Sequence, residues 1–75
     1  MRTIKEIAIE VKQNWKSVNY GAKPYLDAMM TLESINDKYY DDSGKSIVIY
    51  FLANASSWRG DVAKRIKAEL KQLTK

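Results

Sequence analysis

Ser46-Ile47-Val48-Ile49-Tyr50-Phe51-Leu52 is the stretch whose conformation decides the fold of this 75-residue chain. Its β-branched and aromatic content is what intrinsic propensity assigns to a strand. A strand needs a partner, however, and no second segment alternates polar and apolar residues between turn signals. The apolar run also continues through Ala53, Asn54 and Ala55, a length that suits a buried helix. With Ser43 or Ser46 as cap, a helix over about 45–55 is expected, apolar nearly all round and therefore central in a bundle.

Outward from that stretch the helical signals are plainer. Thr3 and Glu6 have capping-box spacing, in which each side chain satisfies an orphan backbone N–H of the other. Ile4, Ile7, Ala8, Val11 and Trp15 then recur at helical spacing, which predicts a first helix over roughly 3–16. Asn19 and Gly21 break the pattern in a loop over 17–22. Pro24 suits the first turn of a second helix, whose apolar stripe runs through Tyr25, Leu26, Met29, Leu32 and Ile35. Residues 36–44 lose periodicity and end in turn residues, so they are expected to form a loop. Ser56 or Ser57 is the expected cap of the last helix. Trp58, Val62, Ile66, Leu70 and Leu73 fall on one face of it, and Lys64, Lys67, Lys71 and Lys75 lie outside that face. The expected fold class is all-α, a compact bundle of about four short helices forming a single domain over 1–75.

Composition narrows the function classes. The chain is 45 % apolar and 29 % charged, which is enough apolar material for a core and too much for intrinsic disorder. A chain of this length buries only about 60–65 % of its unfolded surface, so the core is thin. Cysteine and histidine are both absent, which removes disulfides and most zinc designs, and no cofactor is expected. The N-terminal residues show no secretion signal, and the longest apolar run, Ile47 to Ala53, is too short to span a bilayer. A soluble, cytoplasmic protein with no membrane partner is the expectation.

Catalysis finds no foothold in the motifs. General acid–base and nucleophilic chemistry rest mostly on tuned His, Cys or paired carboxylates, and here only Asp41 and Asp42 are adjacent, on an expected solvated turn. Gly44-Lys45-Ser46 ends like a phosphate-binding loop, but the first glycine of that motif would fall at Tyr39 and no strand precedes it. A calcium loop counted from Asp37 would place Asp42 where glycine is needed and Val48 where glutamate is needed. No enzyme activity and no small-molecule substrate are expected.

Charge is distributed more tellingly than its net of +4. Residues 1–23 carry five basic against two acidic groups, 24–44 one against five, and 59–75 six against two. A chain with basic ends and an acidic middle can pair its own halves, so basicity alone does not point to nucleic acid. The last helix is the basic element. Arg59, Lys64, Lys67 and Lys71 could contact nucleic acid or an acidic partner, or form an ordinary solvated face. Helices three and four could form a helix-turn-helix, although the joining residues 54–57 lack the glycine common at that turn. The aromatics are many for so small a core, and Tyr39, Tyr40 and Trp58 are candidate interface residues. Two functions stay open. The first is an accessory or regulatory protein acting by protein–protein contact, with a larger partner or as a homo-oligomer. The second is a nucleic-acid-binding module using the basic C-terminal helix.

Asp42-Ser43-Gly44-Lys45-Ser46, Tyr50-Phe51-Leu52 and Asn54-Ala55-Ser56-Ser57-Trp58-Arg59-Gly60 are segments that carry a resemblance. Together with Pro24-Tyr25-Leu26 and Met29-Met30-Thr31-Leu32, they make the chain resemble small uncharacterised proteins of phages and mobile elements of Gram-positive bacteria. The resemblance covers roughly two thirds of the chain and implies a cytoplasmic accessory protein of an infected or lysogenic cell. It implies no catalytic or binding residue.

Overall fold

The computed structural model describes residues 2–39 and 42–75. The described residues form a small all-α bundle of four helices: α1 (Ile4–Asn14), α2 (Lys23–Met29), α3 (Gly44–Ala53) and α4 (Asp61–Leu73). Two-residue strands β1 (Lys38–Tyr39) and β2 (Asp42–Ser43) pair antiparallel just before α3, with Lys38 opposite Ser43 and Tyr39 opposite Asp42. No described helix is long and apolar enough to cross a membrane.

The first helix begins with its capping box intact. The Glu6 N–H donates to Thr3 Oγ1 at 3.1 Å and the Thr3 N–H donates to Glu6 Oε1 at 2.8 Å. The Thr3 N–H, and after it the Thr3 side chain, hold the Glu6 carboxyl below its ordinary range, because bonds to the carboxylate favour the charged form. Ile4, Ile7, Ala8 and Val11 turn inward. The helix stops two residues short of the expected end, since Trp15 leaves it in an extended conformation. Its ring then stacks on Trp58 at 5.5 Å and meets Phe51 edge-on at 6.2 Å.

The second helix is half as long as its apolar stripe suggests. Leu32 is buried and Ile35 half-buried as the pattern requires, but neither is helical. Three local bonds end the helix. Thr31 Oγ1 donates to the Ala28 carbonyl at 2.7 Å, and Asp37 Oδ2 accepts from the N–H groups of Glu33 and Ser34. Meanwhile the Lys5 and Ile4 N–H groups donate to the Leu32 and Glu33 carbonyls, at 2.9 and 3.3 Å. The first turn of α1 thus finds its missing acceptors in the segment after α2, and that segment stays non-helical, in turns and bends, while it supplies them.

The stretch 46–52 is helical, as expected, and Ser43 is the cap: the Ser46 N–H donates to its Oγ at 3.1 Å. Two corrections follow. The preceding segment holds a short hairpin where a loop was expected, and α3 is not wrapped on all sides. Ile47, Val48 and Phe51 are buried, but Ile49 is 45 % and Tyr50 48 % exposed. With four short helices, α3 packs against α2, α4 and the hairpin, and no element is left to cover its outer face. The Tyr50 ring lies instead 5.5 Å from the half-buried Tyr25 ring.

The entry to α4 also differs from expectation. Neither Ser56 nor Ser57 caps it; Gly60 is the N-cap, at φ +113°, and no side chain bonds the free N–H groups there. Trp58 therefore lies in the connection 54–60, ahead of the helix.

Candidate functional site

Helix α4 sorts its residues into three longitudinal zones. Ala63, Ile66 and Leu70 are buried, with Val62 and Leu73 half-buried beside them. On one flank Arg65 and Glu69, four residues apart, face α1 and the N-terminal residues. Arg2 grips the Glu69 carboxylate with Nε and Nη2, at 3.1 and 2.6 Å, and Glu10 with Nη1 at 2.6 Å. Arg65 donates to the other oxygen of Glu10. Asn14 extends this seam, its Oδ1 accepting from Trp58 Nε1 at 2.9 Å. Arg2–Glu69, Glu10–Arg65 and Asn14–Trp58 follow in reverse order along the two segments, so α1 and α4 run antiparallel. The two guanidiniums hold the Glu10 carboxyl below its ordinary range, Arg2 more than Arg65, and the carboxylates push the Arg2 guanidinium further up.

On the opposite flank lie Lys64, Lys67 and Lys71, spaced three and four residues apart and so on one stripe. Arg59 joins them from the connection. Trp58, Arg59, Gly60, Ala63, Lys64 and Lys67 line a shallow hollow of about 240 Å³. Lys67 is the cation of this flank that a described hydrogen bond holds. Its Nζ donates to the Trp58 carbonyl at 2.6 Å and lies 5.9 Å from the centre of the Trp58 ring. Burial is the main cause that lowers its ammonium's pKa, with repulsion from Lys71 and Arg59 adding to it.

Among the described residues the ion pairs use Arg2, Arg65 and Lys12 as cations. None of Arg59, Lys64, Lys67 or Lys71 has a described carboxylate within 4.0 Å. The four basic residues singled out by sequence are thus brought together on one face, without a counter-ion among the described residues. The segregation itself was readable only in part. Arg65 and Glu69 stand at helical pairing distance, but nothing in the chain identifies Arg2 and Glu10 as their partners.

The aromatic candidates fare differently. Trp58 is 3 % exposed and stacked on Trp15, so its ring is part of the core, and it also lines the hollow described above. The backbone of Tyr39 lies in β1, and Tyr40 lies outside the described residues. Sequence reasoning missed the aromatics that are exposed, Tyr20 at 95 % and Tyr50, because neither interrupts a periodic pattern. The helix-turn-helix, a possibility that the joining residues already disfavoured, is not formed. Seven residues, 54–60, join α3 to α4 in place of a three- or four-residue turn, and Arg59 precedes the helix. Among the described residues no three carboxylates converge to hold a metal ion. No family model matches the chain, and no curated protein or solved structure matches it.

Proposed function

We propose that this chain is a non-enzymatic accessory module that binds nucleic acid through the sugar–phosphate backbone, using Arg59, Lys64, Lys67 and Lys71. One observation carries the proposal. The other flank of α4 is paired internally, and among the described residues no carboxylate lies within 4.0 Å of these four cations. Clustered cations with no internal counter-ion repel one another, and a polyanion relieves that repulsion while releasing its own condensed counter-ions. Lysines contact phosphates as point charges and carry little base information, so binding is expected to be largely independent of sequence. A cytoplasmic setting fits both the partner and the resemblance to phage and mobile-element proteins.

The test is a titration with duplex DNA at low and near-physiological salt, read by tryptophan fluorescence. Saturable binding that weakens steeply with salt supports the proposal. Reversing Lys64 and Lys67 to Glu should abolish it, and an unchanged affinity in that variant would remove α4 from the account.

A second reading, contact with another protein or with a second copy, is favoured by the exposed face of α3. Ile49 and Tyr50 stand outward there, with Tyr25 against Tyr50. Tyrosine at such positions offers large contact area at small entropic cost. Obligate self-association would make thermal unfolding depend on protein concentration, and a melting curve unchanged over a hundredfold dilution would sink that version.

A further inference from the structure

We infer that the hollow over Trp58, walled by Arg59, Lys64 and Lys67, seats a single phosphoryl group, and that on a nucleic acid it holds the anchoring backbone phosphate of the cationic face. The inference rests on the nucleic-acid reading above and adds which residue matters most.

Four features of the hollow support it. Its volume of about 240 Å³ falls below the roughly 300–1,000 Å³ of pockets for drug-sized molecules, so a compact group fits it better than an extended ligand. Lys67 is held in place by its bond to the Trp58 carbonyl, at 2.6 Å, which occupies one of its three donors and leaves two for a ligand. Exposed lysines such as Lys75 have no such bond to fix them, and must surrender more side-chain freedom on binding. The buried Trp58 ring forms an apolar wall beside the ammonium, and lower local polarity strengthens an attraction between that ammonium and an anion. Finally, the rim at Gly60 carries no side chain, and a Cβ built there would meet nothing within 4 Å apart from its own chain neighbours. Repulsion from Arg59 and Lys71 acts on the Lys67 ammonium with no described carboxylate within 4.0 Å to offset it, and an anion in the hollow would offset that repulsion.

The experiment has two arms on the full chain. In the first, inorganic phosphate is titrated into the ¹⁵N-labelled protein and amide and indole shifts are followed by NMR. Saturable shifts are expected at Arg59, Gly60, Lys64, Lys67 and the Trp58 indole. They should vanish in Lys67→Gln and persist in Lys67→Arg and Lys75→Gln. Near-UV circular dichroism of each variant shows whether the Trp15–Trp58 stack is retained. Shifts spread equally over the remote lysines Lys5, Lys16 and Lys45 would overturn the site. In the second arm, duplex affinity is measured for the same variants. Lys67→Gln should weaken binding by about tenfold, the loss of one charge-assisted contact. Lys75→Gln should weaken it by about twofold or less. Equal effects of the two would overturn the anchor while leaving the nucleic-acid reading in place. Failure of the unaltered chain to bind duplex would overturn that reading, and with it the anchor; localised phosphate shifts would then point to a phosphoryl group from another source.

Discussion

Gly44 shows how a single residue can be set by contacts remote in sequence. A Cβ at this position would stand 2.9 Å from the Ser34 carbonyl oxygen, 3.0 Å from that of Ile35 and 3.1 Å from that of Asp37. All three are backbone atoms, which cannot swing aside as a side chain can. The approach is used: the Gly44 N–H donates to the Asp37 carbonyl at 2.6 Å and the Lys45 N–H to that of Ile35 at 3.2 Å. Gly44→Ala is therefore expected to lower stability by about 1–3 kcal/mol, the usual range for overpacking. Urea unfolding would show it as a lower midpoint at unchanged slope. Trp58 sits at the other extreme of size. Its ring touches Trp15, its indole N–H bonds Asn14 and its carbonyl holds Lys67, so Trp58→Ala should cost about 3–5 kcal/mol and also loosen the cationic hollow.

Helices α1 and α4 depend on a seam of charges at their surface. Arg2, Glu10, Arg65 and Glu69 form one chain of ion pairs linking the N-terminal residues, α1 and α4. Glu10 accepts from both guanidiniums, which is why its carboxyl ionises more readily than usual. A carboxyl whose pKa falls on folding stabilises the native state fully above its unfolded value, here 4.5. That contribution is lost as pH drops from there through the lowered native value. The melting temperature should fall across that acid window, and Glu10→Gln should flatten the fall by removing one group that gains protons on unfolding. An acid limb as steep in Glu10→Gln as in the parent would show that the seam does not couple to stability. Lys67 works in the opposite sense: its ammonium is destabilised on folding, so the penalty is present at neutral pH and relieved as pH rises toward the ordinary lysine range, 10.5.

For the whole molecule the decisive property is the sorting of charge between two flanks of one helix. Four neighbouring cations can neutralise at most about four phosphates, which limits the slope of log affinity against log salt to about −4 on duplex DNA. Lys64→Gln should lower that slope by about one and weaken binding to unrelated duplexes alike. A preference for one duplex that Lys64→Gln alters would mean that bases are being read. The exposed face of α3 is independent of this. Tyr50→Ser should leave duplex affinity unchanged, and would reduce any concentration dependence of unfolding that the parent chain shows.

Much of this protein could be read from residues that act locally. The Thr3–Glu6 capping box, the apolar stripes of α1 and α4 and the helical nature of 46–52 depend on neighbours within one or two turns, and each of them is present. The clustering of Lys64, Lys67 and Lys71 follows from helical spacing alone. What tertiary structure decided lies where a backbone or side-chain group is satisfied by a partner far along the chain. The carbonyls of Leu32 and Glu33 serve the start of α1, so α2 ends at Met29 although its apolar stripe continues. Trp58 lies ahead of the helix it was expected to open, its ring stacked on Trp15, 43 positions earlier in the chain. The ion pairs of the other flank arise the same way: Arg2, near the start, meets Glu10 of α1 and Glu69 of α4, partners that no local spacing identifies. Periodicity fixes which side of a helix a residue occupies, but only packing fixes which element, and which charge, that side meets.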